Sequence, residues 1–210
     1  MSVMAGGRVP SKEKKLVAVR GDLLARVVEI SNREGKSVYG MTNEIFEQAI
    51  RVHDLGLSLT DVVEAYALLK MERETGAVII SSETLSYLIG RLYPEEKEAL
   101  QELWRGSGQW YGKYLLAKFH DQDPIEMLRR RLVTCAWDVT DVNLVRNGDK
   151  VKLRIVAPYL AAENTELFSK HLEGIMQSLG YTLERNDTMR GIILLEFDKQ
   201  KEAKPQQPRP

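Results

Sequence analysis

Few side chains in this sequence stand at the spacings that chemistry requires. His53, His120 and His171 are far apart along the chain. His120-Asp121-Gln122-Asp123 groups nitrogen and oxygen donors. It has neither the paired histidines of a zinc helix nor the twelve-residue pattern of a calcium loop, and reads as a polar connector ending at Pro124. His171 falls on an apolar helix stripe and reads as a core histidine. Gly106-Ser107-Gly108 has no preceding strand and no following Lys-Ser/Thr, so it fails as a phosphate loop. No serine sits in a nucleophile elbow. Arg129-Arg130-Arg131 has the chemistry to meet phosphate but reads as a solvated helix end favoured by the helix dipole. Thr134-Cys135-Ala136-Trp137 reads as strand, with the single cysteine as a small packing hydrophobe. The expectation is a protein with no catalytic residues, no metal and no cofactor.

Two groups of residues survive this sifting. Trp104, Trp110, Tyr111, Tyr114 and Phe119 crowd one stretch. They read first as helical core or a dimer interface, and second as the wall of a small-ligand pocket that Trp137 joins, since such pockets combine aromatic lining with a few polar groups. The other group is basic. Arg8, Lys12, Lys14, Lys15 and Arg20 face a single acid, Glu13, over positions 8 to 21, a local charge of +4 in a chain whose formal net charge is zero. With no global charge to draw the molecule to nucleic acid, affinity for it must come from such a patch.

The elements that position these groups follow from periodicity. Across 210 residues, 43% hydrophobic and 29% charged, the chain is long enough for one or two cored units. No apolar run approaches a membrane span, no secretory signal opens the chain, and one cysteine permits no internal disulfide. A cytoplasmic protein is expected. Residues 12 to 21 form a strand candidate. Asp22 stands as N-cap of a helix carrying Leu23, Leu24, Val27, Val28 and Ile30, with Gly35 as its stop. Thr42 or Asn43 caps a second helix with Ile45, Phe46, Ala49 and Ile50 inward, leaving Tyr39-Gly40-Met41 as an insertion in the turn. A helical middle, 57 to 131, follows: Ser58 or Thr60 caps a stripe of Val62, Val63, Tyr66 and Leu69, Ser82 caps the next helix, and Pro94 restarts it. Ala77-Val78-Ile79-Ile80 fits either strand or helix connection.

From Leu132 the texture becomes strand-like. Leu132 to Val145 reads as a strand whose parity shift suggests a bulge. Asn147-Gly148 marks a hairpin, Val151, Leu153 and Ile155 alternate on the return, and Leu167 to Leu179 trace a helix face ended by Gly180. A second hairpin is expected at Asn186-Asp187, leading into Ile192-Ile193-Leu194-Leu195. The fold class is therefore α+β, with a C-terminal antiparallel ββαββ sheet and a packed helix. Residues 12–55 make one module and 57–198 another, with flexible tails at 1–11 and 199–210.

A lone strand at 12 to 21 leaves its backbone groups unpaired, and pairing with its own copy across a two-fold axis satisfies them. Strand, helix, the Glu34-to-Val38 turn and Asn43-Glu44-Ile45-Phe46-Glu47-Gln48-Ala49-Ile50 together resemble the ribbon-helix-helix family of Arc and MetJ type, over about a fifth of the chain. The resemblance implies a homodimer whose two-stranded ribbon enters the major groove of double-stranded DNA. It implies that Arg8, Lys12, Lys14, Leu16, Ala18 and Arg20 face DNA, with backbone amides near Thr42 and Asn43 on phosphate. It further implies a dimer core of Val17, Val19, Leu24, Val27, Val28, Ile45, Phe46 and Ala49. Leu16 and Ala18 offer apolar contact to a thymine methyl but no bidentate base contact.

The function expected is a DNA-binding transcriptional regulator whose larger C-terminal part senses a small-molecule effector or mediates oligomerisation, with no membrane partner. Two alternatives stand beside it: an interaction protein that uses the first strand only to dimerise, and a small-molecule-binding protein built on the Trp/Tyr cluster.

Overall fold

The structure, a computed structural model, describes residues 15–200. They fall into two compact units, the first ending at Val62 and the second beginning at Val63. The fold is mixed α+β, with six helices and one four-stranded antiparallel sheet among the described residues.

The first unit is built on α1 (Gly21–Arg33) and α2 (Val38–Asp54). Lys15 to Arg20 precede α1 outside any helix or strand, and positions 12–14 of the expected strand lie outside the described residues, as do Arg8, Lys12 and Lys14. Asp22 does not cap α1: Arg20 occupies the N-cap, and Asp22 lies in the first turn, where an acid favours the positive end of the helix dipole. Gly35 stops the helix at φ +66, the left-handed conformation that only glycine adopts without cost. The second helix starts earlier than its sequence suggests. Ser37 is the N-cap, its Oγ accepting from the Gly40 amide, so Tyr39-Gly40-Met41 is the first turn of α2 and not an insertion. Thr42 and Asn43 lie inside the helix, donating to the carbonyls of Val38 and Tyr39. Four residues, Glu34 to Ser37, therefore connect the two helices.

In the second unit, α3 (Leu59–Glu74, shared with the end of the first) is capped by Ser58. It buries Leu68 and Met71 while Val63, Tyr66 and Leu69 of the anticipated stripe stay exposed. Ala77 to Ile80 are neither strand nor helix. Ser81, one residue before the expected Ser82, caps α4 (Ser82–Lys118), which breaks at Glu96 (φ -122, ψ 26), two residues beyond Pro94. Pro94 has no amide to bond the carbonyl of Gly90, which loosens the helix just before this break. Tyr93, Lys97 and Gln101, on either side of the break, converge on Glu166 of α6 (Ala162–Ser178) at 2.5, 3.0 and 2.6 Å and hold the bent helix in place.

α5 (Pro124–Cys135) overturns the strand expected from Leu132. Asp123 caps it and Pro124 takes the first position, so Leu132 to Cys135 complete a helix; its inner face is Ile125, Leu128 and Leu132. The parity shift read as a bulge is the passage from this helix to β1 (Asp141–Asn147). β2 (Lys150–Val156) returns through Gly148-Asp149, as Asn147-Gly148 foretold. β3 (Tyr181–Met189) runs unbroken through Asn186 and Asp187, and the second hairpin turns instead at Arg190-Gly191 into β4 (Ile192–Lys199). The actual bulge is in β3, between Leu183 and Arg185. Strand order is β1-β2-β4-β3, all antiparallel. One face, with Val151, Leu153, Ile155, Ile193, Leu195 and Phe197, is covered by Leu172, Ile175 and Met176 of α6. The other carries ion pairs such as Lys152–Glu196 and Arg154–Asp141, as expected of an antiparallel sheet wetted on one side.

The tightest joint in the molecule is the crossing of α4 and α6. A Cβ added to Gly108 would stand 2.0 Å from the His171 carbonyl oxygen, and one on Gly174 would stand 2.1 Å from that of Arg105. Gly112 repeats the approach against Ile175 at 2.7 Å. Backbone here packs on backbone.

Candidate functional site

The residues assigned to a dimer core in the first unit form an unfilled apolar face. Val17, Val19, Leu24, Ile45 and Phe46 are 42–61% exposed, and Val27, Val28 and Ala49 are half-buried. Among the described residues of this unit, only Ser31 and Met41 are enclosed. Two helices of 13 and 17 residues cannot close a core by themselves, because short amphipathic helices depend on a packed partner for stability. Of the groove-facing set, Leu16, Ala18 and Arg20 are exposed. The Arg20 guanidinium meets the Asp22 carboxylate at 2.6 Å, both in solvent, and this pairing lowers the Asp22 pKa. Thr42 and Asn43 are corrected as phosphate-amide positions: the first-turn amides of α2 belong to Val38, Tyr39 and Gly40, and Ser37 already takes that of Gly40.

The second unit contains a cavity of about 820 Å³, a size typical of small-molecule sites. Its wall is drawn from α3, the Ala77–Ile80 segment, the first turn of α4 together with Trp104 beyond its break, the end of α5 with the Ala136–Val139 turn, and the start of α6. Of the six aromatics proposed for a pocket wall, Trp104 and Trp137 line it and Phe119 does not. Trp110, Tyr111 and Tyr114 do not: Trp110 stacks on Tyr114 at 5.6 Å, and Tyr111 is buried in the core. Helical spacing showed that these rings share a segment, not that they face one way.

Beside the cavity lies a polar knot invisible in sequence. Arg131 donates through Nε and Nη2 to Glu72 at 2.8 and 3.2 Å, and the Tyr111 hydroxyl donates to Glu72 at 2.9 Å. The guanidinium lies 4.2 Å from the Tyr111 ring centre. Burial pushes the Tyr111 hydroxyl well above the usual phenol range. Arg131 is therefore not the solvated helix end its run suggested, although Arg129 and Arg130, bonded to Glu126, remain at the surface. Cys135 packs against the core, and burial raises its thiol pKa, which disfavours the nucleophilic thiolate.

His171 sits on the α4-facing side of α6, 6.4 Å from the Tyr111 ring. Burial, then the Arg131 charge, depress its pKa to about 3 against the pull of the Trp104 backbone. An unfolded histidine titrates near 6.5, so the unfolded chain binds the extra proton between these values. The contribution of His171 is complete above pH 6.5 and declines as pH falls toward 3. Between pH 6 and 4.5 it is expected to cost roughly 1.4 kcal/mol per pH unit, before exposed carboxylates such as Glu126, held at about 2 by Arg129, begin to contribute. Urea unfolding across this window checks it: His171→Phe should flatten the slope.

Among the described residues, no group of three or more His, Cys, Asp and Glu side chains is placed to hold a metal ion, and no helix is long and apolar enough to cross a membrane. No protein-family model matches the chain, and no curated protein does. Among solved structures it is similar to a Cs H-NOX mutant carrying the unnatural amino acid 4-cyano-L-phenylalanine at site 5, with a TM-score of 0.38 and 12% identity over 77% of this chain and 96% of that one.

Proposed function

We infer that the chain is a dimeric DNA-binding regulator whose first unit is a ribbon-helix-helix module and whose second unit responds to a small molecule. One observation carries the reading. Five of the residues that the ribbon-helix-helix pattern assigns to a shared core, Val17, Val19, Leu24, Ile45 and Phe46, are left open in the single chain. A second copy is the occupant that covers them, and it offers Lys15 to Arg20, which lie in no strand of the single chain, a strand to pair with. The four-residue connection before α2 removes the departure from the family pattern that an insertion at Tyr39-Gly40-Met41 would have made. The cavity favours small-molecule sensing over oligomerisation as the work of the second unit.

The Arg20–Asp22 pair makes this reading testable, since DNA must compete with Asp22 for the guanidinium. Arg20→Ala is expected to weaken binding to duplex DNA and to reduce the salt slope by about 1 per copy. Asp22→Asn should strengthen binding, by freeing Arg20 and removing a repelling charge. Fluorescence anisotropy at several salt concentrations reads both. Affinity unchanged in both variants would exclude Arg20 from the interface and count against the module.

A further inference from the structure

We propose that the cavity of the second unit takes a largely apolar molecule that bears no negative charge and presents one hydrogen-bond donor to the carboxamide of Asn164. This rests on the small-molecule half of the function inferred above, and not on its DNA-binding half.

The wall determines the ligand's character. Val78 and Ile79 border the cavity while 84% and 79% exposed, and Leu85, Trp104, Leu167 and Phe168 add apolar surface. Apolar side chains open to water across a concave surface are stabilised by an apolar occupant. The enclosed charges of the wall already have partners. Glu72 and Arg131 hold each other, and Asp138 accepts from the Ser82 hydroxyl at 2.6 Å. Lys70 and Arg73 also border the cavity, but both are exposed and solvated. A negative charge on the ligand would therefore find no enclosed cation free to meet it, and its desolvation would oppose binding.

Asn164 is the exception. It lines the cavity, is only 7% exposed, and donates from Nδ2 to the Ser86 hydroxyl at 2.9 Å. Its Oδ1 is buried with no hydrogen-bond partner. A buried acceptor left unpaired costs about 1–3 kcal/mol, and native proteins rarely retain one without a use. The Cβ–Cγ torsion of asparagine is soft, so a small turn brings Oδ1 to a donor held in the cavity. Asn164 lies in the first turn of α6, whose next residue, Thr165, accepts from the Gly191 amide at 3.0 Å. The backbone that carries Asn164 is thus pinned to the β3–β4 turn while the residue borders the cavity.

The test uses N-phenyl-1-naphthylamine, an uncharged fluorescent probe with one N–H, its N-methylated analogue, which lacks that donor, and 8-anilino-1-naphthalenesulfonate, its anionic relative. On the intact chain without DNA, the parent probe should bind saturably at one site per chain, about tenfold tighter than the N-methyl analogue, the factor that corresponds to one hydrogen bond. The sulfonate should bind more weakly than the parent. Asn164→Leu should abolish the difference between parent and analogue, and Ala136→Trp, which fills the cavity from its turn, should abolish binding of both. Absence of saturable binding, equal affinity for parent and analogue on the unaltered chain, preference for the sulfonate, or binding indifferent to Ala136→Trp would each overturn the proposal. The comparison of probes on the unaltered chain stands even if Asn164→Leu fails to fold. Salt-dependent DNA binding is measured separately, so loss of one half of the functional reading does not mimic loss of the other.

Discussion

Gly108→Ala is expected to destabilise the chain by about 3 kcal/mol, whereas Gly106→Ala, two residues away, should stabilise it by roughly 0.5–1 kcal/mol. Both glycines lie in α4, so alanine gains the same helix propensity at either site. The difference is what the new methyl meets. At Gly106 nothing lies within 4 Å, while at Gly108 the His171 carbonyl oxygen stands at 2.0 Å, in backbone that cannot rotate away. Accommodating it means separating α4 from α6, which carries the sheet-facing residues Leu172, Ile175 and Met176. Close packing transmits that displacement through the core. Urea unfolding of the two variants, read from the midpoint at constant slope, measures the contrast. Shifts of the same sign would show that the two helices do not cross on their backbones.

On the proposed ribbon-helix-helix reading, Val19→Asp should leave the chain monomeric, where the parent dimerises, without unfolding the second unit. In the single chain Val19 is 44% exposed, so a carboxylate there stays hydrated and costs the isolated chain little. In the ribbon core the same group would be buried without a partner, at a cost of several kcal/mol per copy, felt twice. Phe46→Glu, at a position 45% exposed on α2, should act the same way from the helix side. Sedimentation velocity at micromolar concentration distinguishes the species, and the melting of the second unit serves as the control. A Val19→Asp chain that sediments as the parental dimer would remove Val19 from the interface.

Much of this architecture was legible because periodicity and turn chemistry agreed. Asn147-Gly148 between alternating strands, the Leu167-to-Leu179 helix face and the stop at Gly35 each combine two local signals, and the structure has them in place. The misreadings share a cause: a residue with two local uses was given the wrong one. Thr42 and Asn43 are good caps, yet inside α2 they bond carbonyls four residues back, while the less conspicuous Ser37 does the capping. Asn186-Asp187 looks like a turn but lies along edge strand β3, where polar side chains are tolerated. Thr134 to Trp137 has strand composition, yet Asp123 and Pro124 had already started a helix that packing carries to Cys135.

The candidate site was less legible than the fold. Trp104 and Trp137 were found by their chemistry. Asn164, the Glu72–Arg131 pair and the glycines at the α4–α6 crossing join positions 59 to 78 residues apart, and no local pattern reports such a pairing. In the sequence Gly108 belongs to a Gly-Ser-Gly run that lacks the context of a phosphate loop. What it does is let another backbone approach, a role that depends wholly on what lies opposite.

The central claim, a DNA-binding module at the start of the chain, is tested most directly by anisotropy of a random-sequence duplex titrated with the intact chain and with one lacking residues 1 to 20, across a range of salt. The account predicts that the intact chain binds at low salt, with affinity falling steeply, at a log–log slope of roughly −4 or beyond for the cations of two copies, and that the truncated chain does not bind. Equal binding by both chains, or no binding by the intact chain at low salt, would contradict it and leave the first unit as a device for dimerisation alone.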